Sequence, residues 1–286
     1  MGLIVPGGPS WAHYTDNFSL TAAADAQGTQ FLVSPNHTKG IVTQLLPALA
    51  HDVEHVRLGF SGMAAAGTNR MVLADIMIDP AGGTNWSVLI PDLAVGCHTA
   101  VTYSGATSPA AIPCWLEFPL WIPAGASVGI RAQSSYTSLF YARAYIQTRG
   151  GNRNPGSWWC GQRVTALGID AATSRGVVIT PVQQPTFSAW TDIGAVLATD
   201  AGAFHVAIQG EGDTSTVNST YFCQLGANGV AFAPTFIKAI SSEETGMSIP
   251  AGLVYANIPA GTQLQVCMSM TSIGGQPIDV AAYCVS

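Results

Sequence analysis

Charge is what this sequence has least of. Lys, Arg, Asp and Glu together make up 9% of its 286 residues, against about 25% in an average soluble protein. A free monomer ordinarily needs surface charge to stay dispersed, so a chain this neutral suits a surface that partners cover. The plainer alternative is a soluble β protein coated with Ser, Thr, Asn and Gln. Ten basic residues face sixteen acidic ones, for a net charge of −6. No basic block exists, so nucleic acid has no electrostatic footprint to meet. Long apolar runs are missing too. None approaches the ~18 residues of a membrane-spanning helix, so no membrane span is expected. Met1-Gly2-Leu3-Ile4-Val5-Pro6-Gly7-Gly8 lacks the basic region and apolar stretch of a signal peptide, so synthesis in a reducing cytosol is expected. The six cysteines (Cys97, Cys114, Cys160, Cys223, Cys267, Cys284) stand singly, without a C-x-x-C pair. In cytosol such cysteines are mostly buried small apolar residues. A Cys97–Cys114 bridge closing a loop stays open for a protein that ends up outside cells. Three glycosylation sequons, at Asn36, Asn85 and Asn218, mean little without a secretory route.

What is present is one unit written twice. Trp121-Ile122-Pro123-Ala124-Gly125-Ala126-Ser127-Val128 matches Asn257-Ile258-Pro259-Ala260-Gly261-Thr262-Gln263-Leu264. Upstream and in the same order, Val33-Ser34-Pro35 matches Ile179-Thr180-Pro181, and Thr43-Gln44-Leu45 matches Thr191-Asp192-Ile193. Leu58-Gly59-Phe60-Ser61-Gly62 matches Val206-Ala207-Ile208-Gln209-Gly210. A longer loop in copy one, around Cys97 to Pro113, explains the closer spacing of the two Ile-Pro-Ala-Gly turns. Ordered matches across a whole unit mark a duplication. The join falls where Gly, Asn and Pro cluster, in Thr148 to Ser157. The expected division is residues 1–148, a linker at 149–163, and residues 164–286.

Within each unit the period is two. Val56-Arg57-Leu58-Gly59-Phe60, Val128-Gly129-Ile130-Arg131-Ala132 and Leu264-Gln265-Val266-Cys267-Met268 all alternate, which marks half-buried strands. Gly (31) and Pro (17) punctuate at short intervals, as hairpin-rich folds require. The helix candidates are short, Thr21 to Gln27 and Thr43 to His51. The Ile-Pro-Ala-Gly element has a mechanism: Pro fixes φ at the second turn position and Gly accepts a positive φ. The expected fold is all-β: two tandem antiparallel β-sandwich, jelly-roll-like domains from internal duplication, each with about eight strands in two sheets.

No cluster of residues carries catalytic chemistry. His51-Asp52-Val53-Glu54-His55 spells H-x-x-E-H, the inverted zinc-protease motif. That motif needs both His on one helix face, whereas a strand begins at Val56. The matching segment of copy two, Thr199 to Ala203, reads as a loop with no ligand. His13, His37, His98 and His205 show no ligand spacing, and His205 reads as a strand residue, outward-facing or hydrogen-bonded. Gly59-Phe60-Ser61-Gly62 is not G-x-S-x-G. Glu243-Glu244 read as a solvated pair on a turn. Asp75 and Asp79 lie on or near a strand from Val72 to Ile78 and could reach calcium, but no EF-hand-type loop exists. Gly82-Gly83 and Gly274-Gly275 read as hairpin turns, since no helix follows them to cradle a phosphate. No catalytic, cofactor or metal residue is therefore assigned, and the chain reads as a non-enzyme. Trp86, Trp115, Trp121, Trp158 and Trp159 are the candidate glycan or subunit contacts. Burial in the core or packing of the linker is the plainer account of those rings.

Thr38-Lys39-Gly40 and Ala189-Trp190-Thr191, then Ile90-Pro91-Asp92-Leu93, then the two Ile-Pro-Ala-Gly turns together resemble a domain of tailed-bacteriophage (or gene-transfer-agent-like) virion proteins. Copy two departs from it at Ile237-Lys238-Ala239, which lacks the Pro-Asp-Leu piece. The resemblance implies a structural component of tail, baseplate or tail tip, or head spike, contributing to host attachment, with no catalytic residues to carry over. Its expected partners are further copies of itself (a trimer being one arrangement), other virion proteins and host surface glycan. Its expected place is the virion, after synthesis in the host cytoplasm. The alternatives are a glycan-binding module exposed on the virion and, further off, a polysaccharide-degrading enzyme.

Overall fold

The computed structural model describes residues 29–63, 70–97, 102–103, 106–107, 114–134, 138–148, 159–169, 173–174, 176–210, 219–232, 235–240, 249–272 and 277–286. The helix candidate Thr21 to Gln27, most of the expected linker, and the Glu243-Glu244 and Gly274-Gly275 turns lie outside them.

Every regular element among the described residues is a strand. The first half holds β1 (Thr29–Ser34), β2 (Thr43–Leu46), β3 (Val53–Met63), β4 (Arg70–Asp79), β5 (Ser87–Cys97), the small hairpin β6 (Thr102–Tyr103) and β7 (Ala106–Thr107), β8 (Cys114–Phe118), β9 (Ser127–Gln133) and β10 (Ser138–Thr148). The second half holds β11 (Val164–Leu167), β12 (Val177–Ile179), β13 (Val182–Gln183), β14 (Thr191–Asp192), β15 (Ala201–Gly210), β16 (Ser219–Ala227), β17 (Val230–Ala231), β18 (Phe236–Ile240), β19 (Ile249–Ile258), β20 (Gln265–Met270) and β21 (Ile278–Val285).

Each half is a sandwich in which the first strand serves both layers. β1 runs antiparallel to β10 through Thr29–Val33 and then pairs parallel with β9 at Val33 and Ser34. One layer is thus β1-β10-β3-β8, and the other is β5-β4-β9 with β2 on β9. The second half repeats the arrangement with its first strand cut in two at Thr180-Pro181. β12 pairs antiparallel with β21, and β13 pairs parallel with β20. Strand for strand, β2, β3, β4, β5, β8, β9 and β10 recur as β14, β15, β16, β18, β19, β20 and β21.

The Ile-Pro-Ala-Gly turns coincide down to single hydrogen bonds. Asp52 Oδ1 accepts from Ala124 N at 2.8 Å, and Asp200 Oδ1 accepts from Ala260 N at 2.7 Å. Gly125 N donates to Leu49 O and Gly261 N to Leu197 O, each at 2.8 Å. Both glycines hold a positive φ, 86° and 81°, with no atom near the place of a Cβ. Their requirement is therefore conformational alone.

Two expectations need correction. Thr43 to His51 is not a helix: Thr43–Leu46 is strand β2, and Pro47, which lacks an N–H, blocks a helix across that stretch. Thr199 to Ala203 is not a bare loop, because Asp200 closes the turn and Ala201 already opens β15.

Two buried clusters fill the chain. One lies between the layers of the first sandwich and the other between those of the second. Alternation fails at β21, whose eight residues are all buried. Val280, Ala282 and Cys284 face the second core, whereas Ala281, Tyr283 and Val285 join the first.

Asp52→Ala and Asp200→Ala should each cost about 1 kcal/mol, and Gly125→Ala and Gly261→Ala about 1–2 kcal/mol. Thermal or denaturant unfolding of the four variants would measure this, and matching losses within each pair are expected.

Candidate functional site

β5 and β8 are the edge strands of the two layers of the first sandwich. An edge leaves backbone N–H and C=O groups without ladder partners, and the gap between two edges leaves a core open. The β11-β21-β15-β19 sheet of the second sandwich lies across that gap. Its outward residues Ala203, Ala207, Ala281, Tyr283 and Val285 complete the first core. Three of the five are Ala, small enough to let the sheet come close.

Two polar side chains on this face serve the two edges. The Tyr283 hydroxyl accepts from Ala94 N at 2.7 Å and donates to Asp92 O at 2.9 Å, both on β5. His205 Nε2 accepts from Glu117 N on β8 at 3.1 Å and lies against the Glu117 carbonyl. The ring of Phe118 meets that of His205 edge-on, with centroids 5.1 Å apart. The chain ends of the seam are tied as well. Gly161 N donates to Pro119 O and Trp121 N to Gly161 O, while Gln162 N and Arg163 N both donate to Ser286 O.

The Ile90-Pro91-Asp92-Leu93 element makes this possible. It is a bulge: the register between β4 and β5 slips between Ala74 and Ile76, opposite Pro91 and Asp92. Asp92 holds a φ of 48°. Such a bulge re-aims backbone groups at an edge, and here they are aimed at Tyr283.

On the outer side of the same bulge sits an ion cluster. Asp75, nearly fully buried, takes Lys39 Nζ at 2.7 Å on Oδ1 and Arg131 Nε at 2.9 Å on Oδ2. Asp92 N donates to Asp75 Oδ1 at 3.0 Å, and Asp92 Oδ1 meets Lys39 at 2.8 Å. Burial alone would raise the Asp75 carboxyl. The Asp92 amide, Lys39 and Arg131 outweigh it and hold the group below the usual carboxylate range. In the second sandwich the paired positions are Gln224 and Cys267, joined by a weak S–H···O contact of 3.7 Å. Thr38-Lys39-Gly40 and Ile90-Pro91-Asp92-Leu93, far apart in sequence, thus meet at one aspartate.

The remaining candidates take separate places. Asp79 is buried and caps its own hairpin, accepting from Ala81 N at 2.9 Å and Asn85 N at 2.7 Å. Asp75 and Asp79 thus each serve a separate set of partners. His51 precedes β3 while Glu54 and His55 lie in it, so the H-x-x-E-H residues have no helix to share. Burial lowers the pKa of His55, Glu117 raises it and Arg57 lowers it further, for a net shift below the usual imidazole value. Among the described residues no group of three or more His, Cys, Asp or Glu could hold a metal ion. Cys223, Cys267 and Cys284 are buried. Burial pushes all three thiols up, Cys284 to about 12 and Cys267 to about 11, so they pack as small apolar groups. The side chains of Cys97 and Cys114 lie outside the described residues.

The candidate tryptophans are not gathered in one place. Trp86 is half-buried over Gly129 of β9, where a Cβ would stand 3.3 Å from its ring. Trp121 is half-buried beside the seam. Trp159 covers Gly202 of β15 and is 44% exposed. Trp158 and the side chain of Trp115 lie outside the described residues. Sequence reading had His205 as an outward-facing or hydrogen-bonded strand residue, which it is, but missed Tyr283 and the meeting of Lys39, Asp75, Asp92 and Arg131 at one place. The one available signal was a polar residue interrupting an apolar strand, as Asp75 does between Ala74 and Ile76.

No family model matches this chain, and no curated protein matches it in sequence. Solved structures with a similar course include a peptide-N(4)-(N-acetyl-β-D-glucosaminyl) asparagine amidase, at 9% identity and TM-score 0.36, covering 96% of this chain and 94% of that one. The naturally empty top component of cowpea mosaic virus is similar at 10% identity and TM-score 0.37, covering 90% and 87%. The tandem CBM22 domains of Paenibacillus barcinonensis Xyn10C are similar at 10% identity and TM-score 0.25, covering 93% and 90%. Likeness at this level assigns no function. The class defined by the chain's own strands is a duplicated all-β sandwich.

Tyr283→Phe strands Asp92 O and Ala94 N in a buried seam and should cost about 1–3 kcal/mol, read from denaturant midpoints. Asp75→Asn leaves Lys39 and Arg131 facing each other and should cost about 3 kcal/mol. Because the Asp75 pKa is depressed on folding, its contribution is present above the unfolded value of about 3.9. It is lost as pH falls through the lower folded value. The gap in stability between wild type and Asp75→Asn should therefore close on acidification below about pH 4.

Proposed function

We propose that this chain is a non-catalytic structural subunit of a phage-like virion, in tail, baseplate or tail tip, or head spike, made in the host cytoplasm. Its building units on this reading are residues 1–148 and 164–286, joined by 149–163. One observation carries it: large apolar side chains stand in solvent at matching places in both copies, on a chain with 9% charged residues. Val33 and Ile179 are buried partners in the two first strands, and their neighbours Leu32 and Val178 are 46% and 55% exposed. Ile41 and Val230 are more exposed still. A surface of this kind suits coverage by copies of itself or by other particle proteins.

A second reading, attachment to host glycan by the same particle, is favoured by Trp159, an exposed indole held in place by the backbone of β15. Aromatic faces of this kind stack on sugars.

The first reading expects purified full-length chain to have a solution mass above the monomer's, and to be incorporated into particles when produced with the neighbouring genes. A strict monomer absent from purified particles would overturn it. The second expects binding on a glycan array that falls at least about tenfold, roughly 1.4 kcal/mol, with Trp159→Ala.

A further inference from the structure

Two exposed rings rise from neighbouring backbone positions where the second sandwich meets the first. Trp159 rests on the bare backbone of Gly202 in β15, with indole atoms 2.4 Å from the place of a Cβ. The next residue, Ala203, pairs in register with Tyr255 of β19. Directly opposed residues of two paired strands share a face of the sheet. Ala203 belongs to the first core, so Tyr255 stands on the side turned toward the first sandwich. Its ring is nonetheless 56% exposed. Trp159 is held at the same seam by its own neighbour Gly161, which bridges to Leu120 of the first sandwich.

A polar pair from the first sandwich adjoins these rings. β8 packs beside β19, and Glu117 of β8 takes Arg57 Nε of β3 on Oε1 at 3.0 Å. Glu117 also reaches Tyr255 electrostatically. Burial is the larger cause of the raised Tyr255 pKa, and the Glu117 carboxylate adds to it. Half-buried His55 lies in the field of both Glu117 and Arg57. Arg57 and Glu117 are both open to solvent in part, so a ligand can reach them. Their charges cancel, so the patch has little pull on an ion of either sign. It offers ring faces beside a fork of donors and a pair of acceptor oxygens. That combination suits an uncharged sugar, whose ring presents a face of C–H groups and whose hydroxyls both donate and accept.

We infer that Trp159, Tyr255, Arg57 and Glu117 form one binding site for an uncharged oligosaccharide, built across the seam between the two sandwiches. This deepens the reading of the chain as a glycan-attachment protein and rests on it. Trp159 and Tyr255 stack on sugar faces, and the Arg57–Glu117 pair takes neighbouring hydroxyls. The rings come from the second half of the chain and the ion pair from the first. A sugar that touches both therefore binds only the folded chain with its seam closed, and stabilises that form by mass action.

Full-length chain on an array of uncharged and acidic bacterial oligosaccharides tests this, with the strongest binder then titrated by tryptophan fluorescence and calorimetry. That binder should be uncharged and should raise the unfolding temperature of the wild type. Tyr255→Ala and Arg57→Gln should each weaken its binding at least about tenfold. Tyr255→Phe keeps the ring face and should lose far less, which separates a lost contact from a lost fold. Binding that falls with Trp159→Ala but survives both Tyr255→Ala and Arg57→Gln would overturn the four-residue site and leave glycan attachment standing. A strongest binder that is acidic would overturn the ligand class, and Tyr255→Phe binding as weakly as Tyr255→Ala would overturn the stacking role. An array on which the wild type binds nothing would overturn both the site and glycan attachment.

Discussion

A sheet buried on both faces organises this molecule. β15 and β21 turn Phe204, Val206, Ile208, Val280, Ala282 and Cys284 toward the second core. They turn Ala203, Ala207, Ala281, Tyr283 and Val285 toward the first. The first sandwich is closed by material from the second half of the chain. A sandwich whose layers end at β5 and β8 would otherwise leave a slot into its core and two rows of unsatisfied backbone groups. Tyr283 serves the β5 edge and His205 the β8 edge. The two sandwiches share a buried apolar contact, and the hydrogen bonds of Tyr283 and His205 join it to the edges of the first.

The bulge at Pro91-Asp92 links this seam to the ion cluster outside it. The residue opposite the bulge is Asp75, and the bulged Asp92 gives its amide to Asp75, its side chain to Lys39 and its carbonyl to Tyr283. A backbone irregularity is thus fixed from both sides, by charge on the outer face and by a phenol on the inner one. The second sandwich has no such demand at the corresponding place. There Gln224 and Cys267 face each other, and the Pro-Asp-Leu element is replaced by Ile237-Lys238-Ala239. The two copies thus differ at the place where one meets the other.

Much of the fold is legible along the chain. The period of two, the paired Ile-Pro-Ala-Gly turns and the ordered matches give the strands, the duplication and the equivalence of the His51–His55 segment with Thr199–Ala203. These are local signals: a turn needs its own Pro and Gly, and a half-buried strand needs its own alternation. The helix candidate Thr43 to His51 failed because Pro47 interrupts it and Thr43–Leu46 pair with β9. The site was much less legible. Tyr283 and His205 look like ordinary strand residues, and nothing local separates an outward position facing water from one facing a second sandwich.

By itself, then, the sequence settled the all-β class, the tandem repeat and the scarcity of charge, because each follows from residue types and their spacing. Only the tertiary structure decided which face of the second sandwich is covered, where the edges of the first are satisfied, and that Lys39, Asp75, Asp92 and Arg131 share one site. Those depend on how two similar bodies meet, and residues 189 apart, such as Ala94 and Tyr283, carry no mark of that meeting until the chain has folded.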